Sequence, residues 1–378
     1  MKREFPVYLL DSPLNERIMY FKDYTCPHPF FAAAYKELLK RINTPSTKSI
    51  FLVYGPSGVG KSSLLKKVYE KVLKDNKERI EKDQGCIPIA GFESIAPDNG
   101  KYDWKDHYIR SLMSLKEPLI KYKVDIEKIV KKVENRDREP NRELRRSLEN
   151  ALEHRKCLAF LIDEAQHITF NSSAKSSNNQ LNLIKSLVST TNTPHILAGT
   201  YEILDFRDSF GQLSRRSLDI HFRRYDYNIP KEREMFYRAL WNLQKHLPLH
   251  EEPNLIEHWQ HFYQVSVGCI GLLKDLLTTT LEYNLKDNPK LNTLVLDDFK
   301  EYELTANQTY QLADEALNGE ALVKGINKTS DDVATLLGMN DELENKDPVK
   351  MQVEVSDKNS QKRKVGERNP GRDVVGGN

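Results

Sequence analysis

The stretch YGPSGVGKSS, residues 54 to 63, constrains this chain more than any other. It contains G-x-x-x-x-G-K-S as Gly55, Gly60, Lys61 and Ser62, directly after the apolar run SIFLV and directly before the amphipathic run KSSLLKKVYEKVLKD. A strand, a glycine-rich turn and a helix in that order make backbone N–H groups converge on one point at a helix N-terminus, which is a cradle for phosphate oxygens. In such a cradle Gly55, Pro56, Ser57, Gly58, Val59, Gly60, Lys61, Ser62 and Ser63 surround the phosphates, Lys61 reaches the outer ones, and the Ser62 hydroxyl faces a magnesium ion. The alternative, a glycine-rich turn with no ligand, does not call for a lysine and a serine at these spacings.

A cradle of this kind needs a parallel sheet behind it, and the pattern supplies one. Short β-rich apolar runs at 49–55, 86–92, 157–163, 195–200 and 218–222 alternate with helical periodicity after Lys61, around Asn141 to Glu153 and from Asn179. The expected fold class is α/β, a five-stranded parallel sheet wrapped by helices over residues 49–229, preceded by a linker and helical segment over 1–48. After YDYNIP the strands stop, and 230–310 reads as a small all-helical lid. From Gly319 aromatics vanish and an acidic stretch gives way to a basic, Gly-rich end, so 319–378 reads as a mostly disordered polar tail.

The second chemical feature is LIDEAQH, residues 161 to 167, which closes the apolar run from Cys157. Asp163 at the carboxyl end of its strand is placed to hold magnesium, directly or through water, and Glu164 to take a proton from an attacking water. Gln166 and His167 follow where a new element starts, as relays of nucleotide state or as ordinary helix-start residues. Thr200, ending HILAGT, either presents its hydroxyl to the terminal phosphate or caps the next helix, and the two roles are compatible. Arg215 and Arg216 in QLSRRS are either a solvated face or, in an assembly, a source of an arginine that reaches a neighbour's terminal phosphate, with Arg216 favoured.

Composition bounds the partners. With 57 Lys and Arg against 55 Asp and Glu, the chain is no uniform polyanion binder. Residues 101–156 nevertheless hold 16 basic against 11 acidic residues. There Lys101, Lys105, Arg142, Arg145 and Arg146 are candidates for phosphate contacts that position a duplex without reading its sequence, against the alternative of a charge-laced surface helix. Four scattered cysteines and the absence of a long apolar run lead to the expectation of reduced thiols, a cytoplasmic location and no membrane partner.

The order GPSGVGKS, LIDEAQH, ILAGT, QLSRRS and then VGCIGLLKDLL resembles the AAA+ ATPases, and with the N-terminal NERIMYFKDYTCPHPFF it resembles specifically the TnsC/TniB transposition regulators, over about residues 5 to 300. The resemblance implies ATP and Mg2+ as cofactors, and regulatory ATP hydrolysis that dismantles a homo-oligomeric ring or filament on double-stranded DNA. It also implies a transposase subunit and a target-selection protein as partners. It places the adenine near Tyr24, Pro27 or His28. The lid slot where relatives carry a sensing arginine falls at Gly271, with Lys274 the nearest base, a departure that is compatible with slow hydrolysis. The alternatives are a replication initiator or helicase loader, and a signalling ATPase that acts on protein partners without DNA. A metabolic kinase is a fourth, for which no pocket or arginine-rich lid stands out.

Overall fold

The structure, a computed structural model, describes residues 4–44, 50–97, 101–120, 140–169, 174–204 and 217–326. The chain divides into a compact unit of Met1–Lys324 and a second of Gly325–Asn378, almost all of which lies outside the described residues. The same holds for most of the expected tail and for Arg215 and Arg216.

Five strands form one parallel sheet: β1 (Ile50–Tyr54), β2 (Ile89–Glu93), β3 (Ala159–Asp163), β4 (His195–Gly199) and β5 (Ser217–His221), in the spatial order β2-β3-β4-β1-β5. Each was legible as an apolar run, because a parallel strand covered on both faces has no polar side to alternate with. All five residues of β1 and of β4 are buried. Their register pairs Ile50 with His195 and Tyr54 with Gly199, so the loops that leave β1, β3 and β4 open on one carboxyl edge.

Before the first strand come α1 (Leu14–Asp23) and α2 (Pro29–Asn43), and between the strands of the sheet come α3 (Lys61–Asp75), α4 (Lys77–Lys82), α5 (Trp104–Ser114), α6 (Pro140–His154) and α7 (Ala174–Thr191). Helix α3 buries Leu64, Leu65, Val68 and Val72, a stripe at helical spacing that seats it across the sheet and against α2. The helical region follows with α8 (Pro230–Lys245), α9 (Trp259–Val265), α10 (Ile270–Asp287), α11 (Leu296–Lys300) and α12 (Ala306–Ile326).

Among the described residues, two of the apolar clusters draw on the N-terminal segment. Helix α2 places Phe31, Ala34, Leu38 and Ile42 among the sheet residues, whereas α1 places Ile18 and Phe21 among Phe236, Leu240, Phe262, Leu273 and Leu277 of the helical region. Arg17 fastens α1 there: its Nε and Nη2 donate to the Pro248 carbonyl at 3.2 and 2.7 Å, and Nη1 donates to that of Pro289 at 3.3 Å. The N-terminal segment, expected as a linker and helical segment, is a helical strap shared by two cores.

Two expectations shift. The helix expected over YEILDF is a 3-10 turn at Tyr201–Leu204. The polar segment expected from Gly319 begins inside α12, which runs to Ile326 with Ala316 and Val323 buried. Loss of aromatics misled there, because α12 docks through small residues. All four cysteines are free and buried, as expected. Among the described residues no helix is long and apolar enough to cross a membrane.

Candidate nucleotide site

The loop between β1 and α3 is built around two residues in the left-handed region, Gly58 (φ 71°) and Gly60 (φ 106°), where a side chain is strained. Gly60 leads directly into Lys61, the first residue of α3, so the loop ends on the helix N-terminus that a phosphate cradle requires. Lys61 is only 5% exposed, and its Nζ donates to the carbonyls of Gly55 (3.0 Å) and Pro56 (2.9 Å). Burial pushes its ammonium down from the ordinary lysine value, opposed by the negative charges of Glu164, Asp163 and Glu315.

Across the loop, β3 delivers Asp163, whose carboxylate accepts from the Ser62 hydroxyl; burial pushes this carboxyl up, and that hydrogen bond acts against it. Glu164, next in the chain, adopts φ 50° and ψ 38°, which turns its side chain away from the strand direction. Its N–H donates to Asp163 Oδ1 at 3.0 Å. A hydroxyl and a carboxylate in contact, beside a loop of convergent amides and a buried lysine, make a donor set of the kind that magnesium and phosphate oxygens need.

Gln166 ties the next strand to this pair. Its Nε2 donates to Glu164 Oε2, and its Oε1 accepts from the Thr200 N–H at 3.2 Å. Because a backbone N–H can only donate, the amide orientation is fixed, and Glu164 must be the acceptor. The fit is tight: a Cβ at Gly199 would lie 2.4 Å from Gln166 Oε1. Thr200 stands at the carboxyl end of β4, with its carbonyl accepting from Ile203 at the start of the 3-10 turn.

A cavity of about 550 Å3 is lined by Ser57 through Ser63, Glu164, Tyr24, Cys26, His28, Phe31, Ile270, Gly271, Lys274 and Asp275, among others. It joins the phosphate loop, the strap after α1 and the start of α10. Of the three residues expected near an adenine, Tyr24 and His28 line it and Pro27 does not. Both are held: the Tyr24 hydroxyl donates to Asn242 Oδ1 at 2.6 Å while its ring stacks on His246, and His28 Nδ1 lies 3.0 Å from the Tyr225 hydroxyl. Burial pushes the His28 pKa down to about 4, so its ring is neutral.

The lid side explains the departure at Gly271. A Cβ there would lie 2.2 Å from the Gly58 carbonyl oxygen, and the Leu272 N–H donates to that same oxygen at 2.8 Å. The first turn of α10 thus rests on the phosphate loop backbone to backbone, and no arginine fits. Lys274 does not substitute for it, since its Nζ donates to the Phe21 carbonyl and to Thr278 Oγ1, and burial lowers its pKa to about 8.

Residues 42–206 match the family model described as an AAA domain. The five-stranded parallel sheet and the helices after it are the fold expected of an AAA+ P-loop domain. Three of the solved structures similar to the chain illustrate its likeness. The Aeropyrum pernix ORC2 protein, in ADPNP–ADP complexes, has 14% identity over 74% of this chain and 68% of that one, with a TM-score of 0.46. A Walker-type ATPase of Pyrococcus abyssi has 15% identity over 81% and 87%, with a TM-score of 0.44, and Cdc6p from Pyrobaculum aerophilum has 12% over 71% and 65%, with a TM-score of 0.44. No curated protein matches the chain.

The basic candidates lie away from this site. Lys101 and Lys105 are exposed at the start of α5, and Arg142 and Arg146 are exposed one turn apart on α6, which packs against α5. Arg145 is engaged instead: Nε donates to Glu149 Oε1 at 2.9 Å and Nη2 to Ser186 Oγ at 2.7 Å. Sequence reasoning missed Glu315, whose Oε1 accepts from the Ser57 N–H at 3.3 Å, and Arg224, paired with Glu320. No local pattern signals a contact across 258 positions.

Proposed function

We propose that the chain is an ATP-dependent switch on double-stranded DNA, in which ATP binding sets the assembled state and hydrolysis ends it. The contact set Lys61, Ser62, Asp163, Glu164 and Gln166, gathered around one phosphate loop, supports this reading most directly. ATP is the substrate, held by the amides of residues 55–63, with the Lys61 ammonium turned from loop carbonyls to the outer phosphates. Magnesium, when bound at Ser62 and Asp163, neutralises charge on the phosphate oxygens. Glu164 accepts the proton of the attacking water while Gln166 holds its carboxylate in place. Thr200, coupled to the same amide, senses the terminal phosphate, and Arg216 or Arg215 reaches it from a neighbouring copy. The glycine at 271 leaves the lid without a charged group at the phosphates, which fits a slow clock rather than a motor.

Lys101, Lys105, Arg142 and Arg146 form the duplex contact, with Arg145 supporting α6 from within. A few phosphate contacts per copy become a strong, salt-sensitive attachment when many copies line one duplex. We take 49–229 as the nucleotide-binding domain, 230–310 as the lid, and the cytoplasm as the location. The resemblance to the TnsC/TniB regulators gives a transposase subunit and a target-selection protein as partners. The initiator-like alternative gives a replication origin or a helicase. Affinity capture with the ATP-locked protein separates these readings by what is retained.

Steady-state ATP turnover tests the site itself. Glu164→Gln is expected to lower kcat by a factor of about 100 or more with ATP still bound, and Lys61→Ala to abolish binding. Unchanged turnover in Glu164→Gln removes Glu164 from its role.

A further inference from the structure

Helix α12 lies on the edge of the sheet that carries the site. Its three anchors come from the loops that leave β1, β4 and β5, which are neighbours in the order β4-β1-β5. At the β1 loop, Glu315 Oε1 accepts the N–H of Ser57, a phosphate-loop amide, at 3.3 Å. Beyond β4, Gly319 packs on Tyr201 so closely that a Cβ would lie 1.9 Å from Tyr201 Cδ2. Beyond β5, Glu320 pairs with Arg224: Nε to Oε1 is 3.0 Å, and Nη2 donates to Oε2 at 3.1 Å. Arg224 is 8% exposed and Ala316 fully buried, so the docking is intimate.

The position of Glu315 is chemically odd for a merely structural contact. A carboxylate takes up an amide of the loop whose amides hold phosphates, and its charge bears on Lys61, the residue that must reach the outer phosphates. Glutamate and a bound triphosphate are both anions, and placing them at one set of donors costs free energy in a site this poorly solvated. We propose that α12 is an autoinhibitory latch: docked across the carboxyl edge of the sheet, with Glu315 on the phosphate loop, it competes with ATP, and ATP binding releases it.

The pair Arg224–Glu320 holds the latch without facing the phosphates, and this makes the idea testable. A latch closed in roughly nine molecules of ten weakens the apparent affinity for ATP about tenfold, since affinity scales with the competent fraction. The proposal rests on the ATP reading above. The experiment titrates the full chain, wild type, Glu315→Gln and Glu320→Gln, with fluorescent ATP and fluorescent adenosine, and follows hydrogen exchange of residues 306–324 in the wild type with and without saturating ATP.

Both variants are expected to bind ATP about tenfold more tightly with adenosine binding unchanged, and ATP is expected to speed exchange in α12. Damage to the fold does not tighten a ligand, so a gain in Glu320→Gln reports release. Equal ATP affinity in all three chains, or α12 equally protected with ATP bound, overturns the latch and leaves the ATP reading standing. A wild type and variants that bind no ATP at all overturn the ATP reading and the latch with it. The exchange arm needs no variant, so the test survives poor folding of either one.

Discussion

At the scale of single residues, the site is set as much by atoms that hold its chemistry in place as by those that perform it. Gln166 is the clearest case, because its two amide ends have different obligatory partners, the Thr200 N–H and the Glu164 carboxylate. Gln166→Leu keeps the volume and removes both bonds. We expect kcat to fall about 10- to 100-fold while the ATP dissociation constant stays within about threefold; equal loss of binding and turnover would mark Gln166 as a structural residue only. Gly271 is a second case, with opposite logic, since what matters is the absence of an atom. Gly271→Ala puts a methyl 2.2 Å from the Gly58 carbonyl oxygen. It is expected to cost about 1–3 kcal/mol of stability, read by chemical denaturation, and to weaken ATP binding through the displaced loop.

Among elements, the strands were legible because a covered parallel strand needs only a continuous apolar run, and CLAFLID or HILAGT has no competing pattern. The loop and α3 were legible for the same local reason, since Gly60, Lys61 and the stripe from Leu64 to Val72 lie within one short segment. What the sequence hid is long-range. Nothing near Arg17 says that α1 belongs with α8 and α10, because the hydrogen bonds that fasten it end on Pro248 and Pro289. Arg17→Ala leaves the buried Pro248 carbonyl without its donors and is expected to destabilise the protein by about 2–3 kcal/mol, measured as a shift in denaturant midpoint without loss of ATP binding at low temperature. Helix α12 was hidden differently: Ala316 and Gly319 dock it by being small, and a hydrophobicity pattern gives small residues little weight.

For the whole molecule, two collective properties follow. Burial depresses four histidines, His28, His195 and His221 to about 4 and His107 to about 3, below the ordinary 6.5. In the unfolded chain they take up protons near pH 6.5 and in the folded one only below about 4. The stability they contribute is therefore complete above 6.5 and is lost as pH falls towards 4, by about 1.4 kcal/mol per pH unit for each histidine. Asp163, Asp275 and Glu320, pushed up by burial, act in the opposite sense. The net expectation is lower stability at pH 5 than at pH 7 in denaturant titrations, and equal values would contradict it. The second is the proposed assembly on DNA, which only many copies together can display. The most direct measurement is co-sedimentation of the Glu164→Gln chain with duplex DNA of arbitrary sequence, with ATP, with ADP and without nucleotide, across a salt series. Pelleting is expected with ATP alone, weakening steeply with salt and lost in Lys61→Ala. Pelleting that ignores nucleotide, or none with ATP at any salt concentration, would contradict it.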